Sequence, residues 1–78
     1  MNRQELERAL NDLKVSPDEY SLEGSLSRWD VVVLSRTYAG WSVIYMDERG
    51  NQERLASFAT EDEACIYIYA EFKRLKKR

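Results

Sequence analysis

A strongly marked helix closes the chain, running from Thr60 to about Lys77 with Phe58 just ahead of it. Thr60-Glu61-Asp62-Glu63 has the form of a capping box, in which the Thr60 hydroxyl accepts from the Glu63 amide and the Glu63 carboxylate reaches back to the Thr60 amide. Three acids in the first turn, and five cations among the last six residues, both suit the helix dipole. At helical spacing Ala64, Cys65, Ile68, Tyr69, Phe72 and Leu75 fall on one side, opposite Asp62, Glu63, Lys73, Arg74 and Lys77. Ile66, Tyr67 and Ala70 lie off that stripe. A stripe of this kind needs an apolar surface to pack on, so the rest of the chain must supply one.

Upstream, Leu6, Ala9, Leu10 and Leu13 recur at three- and four-residue spacing, which predicts a first helix from Asn2 or Arg3 to about Lys14. Ser16-Pro17-Asp18-Glu19 restarts helical signals, with Ser16 as N-cap and Pro17 at the first position, but leaves room for only a turn. Tyr20 to Ser27 reads as an ordered loop pinned by Tyr20, Leu22 and Leu26. Asp30 to Arg36, dominated by Val31, Val32, Val33 and Leu34, predicts a strand. A turn at Tyr38-Ala39-Gly40, with positive φ at Gly40, leads into a second strand from Trp41 to Asp47. Glu48-Arg49-Gly50-Asn51 is another turn, and Gln52 or Glu53 to Phe58 forms a third strand.

The order α-β-β-β-α with short connections implies an α+β fold, a three-stranded antiparallel meander with both helices on one face. The sheet is apolar on both sides, with Trp41, Val43 and Tyr45 on one and Ile44 and Met46 on the other. The face without helices should therefore expose an aromatic or aliphatic contact patch.

Seventy-eight residues suffice for one domain with one modest core, spanning 1–78. No apolar run approaches the roughly 20 residues that cross a bilayer, and the start of the chain has no secretory h-region, so the expected location is cytoplasmic. The single cysteine, Cys65, agrees with a reducing compartment. The formal net charge of -2 hides a split: residues 1–70 carry 13 acids against 7 bases, and residues 71–78 one acid against five bases. An acidic body speaks against duplex nucleic acid and for a basic partner.

Catalytic chemistry is poorly provided for, and no enzyme activity is expected. Histidine is absent from the sequence, which removes the usual general base and the commonest metal ligand. Cys65 sits on the core stripe as a small hydrophobe. Gly24, Gly40 and Gly50 are isolated in separate turns, so no phosphate-cradling loop is present, and no cofactor is expected. The element order is also that of double-stranded-RNA-binding domains, which place basic residues at the start of the second helix against phosphates. Here that position is Glu61-Asp62-Glu63, which would repel them.

The segments Ser16-Pro17-Asp18-Glu19-Tyr20-Ser21-Leu22-Glu23-Gly24, Trp41-Ser42-Val43-Ile44-Tyr45, Glu48-Arg49-Gly50 and Phe58-Ala59-Thr60-Glu61-Asp62-Glu63-Ala64-Cys65 extend over most of the chain. In this order and spacing the chain resembles small bacterial immunity proteins, the inhibitors encoded beside polymorphic or contact-delivered toxins. One departure is Gly24-Ser25, where similar chains often carry paired glycines. The resemblance implies a cognate protein toxin as partner and inhibition by occlusion of its active site, without catalysis. Aromatic anchors inside a charged rim would carry such binding, and acids would speed capture of a basic toxin. The candidate partner-binding residues are Asp18, Glu19, Tyr20 and Glu23 on the loop, with Trp41, Tyr45, Asp47, Glu48 and Arg49 on the second strand and its turn. The competing class is a self-associating or regulatory adaptor that forms a homodimer through the bare sheet face.

Overall fold

The computed structural model describes residues 1–23 and 30–76 of the chain. Helix α1 (Arg3–Asp12) is followed by a 3₁₀ turn (Pro17–Glu19), strands β1 (Tyr20–Ser21), β2 (Val31–Thr37), β3 (Gly40–Met46) and β4 (Gln52–Phe58), and helix α2 (Glu61–Lys76). The fold is α+β, with the three long strands forming the expected antiparallel meander. The sheet has a fourth member: Tyr20 and Ser21 pair parallel to β2, giving the order β1-β2-β3-β4. Two residues carry too little pattern to show a strand in sequence. The remainder of the expected loop, from Gly24 to Ser27, lies outside the described residues.

Helix α1 opens on an Asn2–Glu5 capping box, the Glu5 amide donating to Asn2 Oδ1 at 2.8 Å and the Asn2 amide to Glu5 Oε1 at 3.0 Å. It ends without glycine. Lys14 takes φ 63 while the Val15 amide bonds the Leu10 carbonyl and the Lys14 amide that of Asn11, each at 2.9 Å, which satisfies two terminal carbonyls in a Schellman motif. In the 3₁₀ turn Ser16 is the N-cap as anticipated, its hydroxyl accepting from the Asp18 amide at 3.3 Å, and the Glu19 carboxylate accepts from the Ser16 amide at 2.8 Å. In α2 the Glu63 amide donates to Thr60 Oγ1 at 3.2 Å, but the Glu63 carboxylate accepts from the Thr60 hydroxyl rather than from its amide.

Leu6 and Leu10 from α1, Leu34 and Val43 from the sheet, and Ala64, Cys65, Ile68 and Phe72 from α2 form one buried cluster, so both helices cover the same face. The predicted stripe of α2 is buried as far as Phe72; Tyr69 is half-buried, and Leu75 stays half-exposed at 52%. Off the stripe, Tyr67 packs its ring on Phe58 at 5.4 Å, and Ile66 faces outward.

The second face of the sheet departs from expectation. Val31, Val33 and Met46 form a separate cluster there and are buried, with Ile44 partly buried against them. An exposed apolar patch over that face is thereby ruled out at its β2–β3 centre. The pattern could not reveal this, because alternation shows which residues share a face and not what covers them. A bulge in β4 interrupts the alternation: Val43 pairs with Ala56 and Ile44 with Arg54, leaving Leu55 as the extra residue.

Candidate functional site

Strand β3 has two turns at its ends, built by different means. At its start, Gly40 has φ +144 and a side chain there would meet the Phe58 carbonyl oxygen at 2.3 Å, so only glycine fits. At its finish, Asp47 Oδ1 accepts from the amides of Arg49 at 2.9 Å and Asn51 at 2.8 Å. The Gly50 amide bonds the Asp47 carbonyl at 3.1 Å, with Gly50 at φ +84. This is a type I turn closed by a glycine bulge, and Asp47 is the residue that organises it.

That turn forms one wall of an open hollow of about 410 Å³ lined by Asp30, Tyr45, Asp47, Glu48 and Arg49. Four of these are predicted contact residues. Asp30, at φ 58 just before β2, was missed; its carboxylate accepts a hydrogen bond from the Tyr45 hydroxyl. Aspartate tolerates the left-handed conformation better than most residues, which is the signal its sequence position held. The bond to Asp30 raises the Tyr45 pKa above its usual 10.0, assisted by burial and by the charges of Asp30, Asp47 and Glu48. The phenol thus stays a neutral donor amid carboxylates.

Register gathers the loop residues at the same end. Tyr20 pairs with Val32, Val32 with Tyr45 and Tyr45 with Glu53, a continuous row across the sheet. Because β1 runs parallel to β2, Asp18 and Glu19 precede the row on the side where Asp30 starts β2 and Asp47 ends β3. The Glu19 carboxylate is engaged with the Ser16 amide at 2.8 Å. Glu23 is exposed.

Two predicted aromatic contacts have other positions. Tyr20 is 7% exposed and meets the Phe72 ring edge-on at 6.4 Å, so it is a core residue and not a surface anchor. Trp41 is half-buried at the far end of β3, about 13 Å from Tyr45 along the strand. The guanidiniums of Arg3 and Arg36 approach its ring at 5.9 and 5.7 Å. Arg3 also binds Glu61, its amide at 2.9 Å and its Nε at 3.4 Å from Oε1, which ties both helix starts to the sheet.

Cys65 is fully buried, and burial first, then the Glu61 charge, pushes its thiol pKa up to about 11. It is protonated at neutral pH and has no nucleophilic character there. Among the described residues no group of three or more potential ligands could hold a metal ion, and no helix is long and apolar enough to cross a membrane. Comparison of the chain with protein-family models, curated proteins and solved structures finds no match.

Proposed function

We propose that this domain is a non-catalytic protein-binding module, a bacterial immunity protein that acts in the cytoplasm by covering the active site of a basic cognate toxin. The observation that carries the reading is the excess of negative charge at one end of the sheet, where Asp30, Asp47 and Glu48, with Arg49 among them, surround Tyr45 and the parallel β1 brings Asp18 and Glu19 to the same side. A hairpin turn held by Asp47 presents Asp47 and Glu48, so little ordering of these two accompanies binding. Complementary charge speeds encounter and selects basic partners.

The self-association alternative drew on an apolar sheet face. The burial of Val31, Val33 and Met46 takes away that support. The RNA-binding alternative needs cations where α2 begins, and that turn holds Glu61, Asp62 and Glu63 instead.

Coexpression with a toxin domain, sought in the genes beside this one, tests the proposal. The chain should restore growth and form a 1:1 complex that weakens with salt, and Glu48→Lys should lower affinity about tenfold. A toxin that is neither bound nor neutralised overturns the reading. A firm homodimer in sedimentation at micromolar concentration would favour the adaptor class.

A further inference from the structure

A second hollow adjoins the acidic one, on the seam where α2 crosses the sheet. It measures about 130 Å³, and its lining is almost wholly apolar: Val32, Val43, Ile68 and Phe72 at the base, Leu55, Tyr67 and Leu75 toward the rim, with Tyr45 and Glu71 at its edge. A volume near 150 Å³ lined by aliphatic and aromatic groups accepts a benzene ring, so this one has room for a single aromatic or branched aliphatic side chain. Leu55 (37% exposed) and Leu75 (52% exposed) leave their apolar surface in water on either side of it. The β4 bulge at Leu55 contributes one lip, and Leu75 near the end of α2 the other.

Tyr45 lines both hollows, its ring facing the apolar one while its hydroxyl bonds Asp30 in the acidic one. The two are therefore a single surface with an apolar half and an anionic half. Across the sheet from Tyr45, Glu53 adds an exposed carboxylate on β4. We infer that this seam is a docking groove for a basic segment of a protein partner, one apolar side chain entering between Leu55 and Leu75 and an adjacent Arg or Lys reaching the carboxylates around Tyr45. The net charge of the hollow selects the occupant: three carboxylates, Asp30, Asp47 and Glu48, stand against the guanidinium of Arg49, and a neutral or acidic segment with the same apolar residue would leave that excess of negative charge unbalanced. This inference deepens the proposed immunity reading and rests on it for the identity of the partner, but the chemistry of the groove can be tested without a toxin.

The probe is a pair of short capped peptides, one with Phe flanked by Arg and one with Phe flanked by Glu, titrated into the isotope-labelled full chain and followed by amide chemical shifts. The Arg peptide should shift Tyr45, Leu55, Tyr67 and Leu75 together, and the Glu peptide should bind at least about fivefold more weakly. Leu75→Lys, a change at an exposed site, should abolish the Arg-peptide shifts while leaving the remaining spectrum folded. Equal binding of both peptides, or shifts that avoid these residues, overturns the inference. So does a micromolar homodimer that Leu75→Lys dissociates, because the occupant would then be a second copy. If a toxin is neutralised and Leu75→Lys still neutralises it fully, the groove is not the contact surface although the immunity reading stands. If no toxin is neutralised but the peptides behave as stated, the groove survives and the immunity reading fails.

Discussion

Trp41 and Tyr45 lie on the same strand and the same face, four residues apart, yet the two ends of β3 do different work. Around Trp41 are cations, Arg3 and Arg36, and through Arg3 the ring is joined to Glu61 at the start of α2. Around Tyr45 anions outnumber cations, Asp30, Asp47 and Glu48 against Arg49, in an open hollow. The Trp41 end fastens helices to the sheet. The Tyr45 end leaves charge facing water. An aromatic ring on a strand is thus assigned its role by what the neighbouring strands and turns bring beside it, which residue type and alternation do not specify.

The comparison is most easily broken at its turns. Gly40→Ala, at the Trp41 end, adds a methyl 2.3 Å from the Phe58 carbonyl at φ +144, where backbone must move. It should destabilise the fold by about 3 kcal/mol or more in urea unfolding. Gly50→Ala, at the Tyr45 end, has φ +84 but nothing within 4 Å of the added carbon. Only the left-handed conformation is penalised, so its cost should be about 1 kcal/mol. Equal costs would show that the two turns are equally constrained.

Trp41→Ala comes between those two. The ring is half-buried against the main cluster and flanked by two guanidiniums, so its removal should cost about 2 kcal/mol, less than a fully buried tryptophan. The same variant should leave partner affinity unchanged when compared at equal folded fraction. A selective loss of affinity would move the contact surface to the Trp41 end and reverse the assignment.

How much of this was legible in the sequence follows from which signals are local. The start of α2, the 3₁₀ turn at Pro17 and the positive φ at Gly40 are set by residues within one turn of each other, and each is where the pattern placed it. The Asn2–Glu5 box is equally local, three residues apart, and was overlooked. Lys14 was not readable, since a lysine in the left-handed region shows no glycine to mark it. Non-local facts were beyond reach: the pairing of Tyr20 with Val32, the burial of Val31 and Val33, and the approach of Asp30 to Tyr45 all join segments whose register a single sequence leaves open. Of the nine predicted contact residues, Tyr45, Asp47, Glu48 and Arg49 share one hollow, while Tyr20 belongs to the core.

Tyr45→Phe is the mildest test, and its pH dependence separates the two ends most cleanly. The substitution deletes the hydroxyl that donates to Asp30 but keeps the ring, so at neutral pH it should cost less than about 1 kcal/mol at this half-exposed site. The folded-state pKa of Tyr45 lies above the 10.0 of the unfolded chain. The hydrogen bond's contribution is therefore fully present below pH 10, and it fades as pH climbs from there through the folded-state value, because the unfolded chain gives up the proton first. Stability curves for the native chain and Tyr45→Phe should accordingly converge above pH 10, with phenolate absorbance showing one late-ionising phenol fewer in the variant, since Tyr20, whose pKa burial raises, ionises late in both. Asp30→Gly, which φ 58 tolerates, removes the acceptor that is the first cause of the shift, together with its charge, and should bring that ionisation back toward the ordinary value. Convergence at a lower pH, or none, would mean that the phenol is not held by Asp30, and the Tyr45 end would lose the feature that distinguishes it from the Trp41 end.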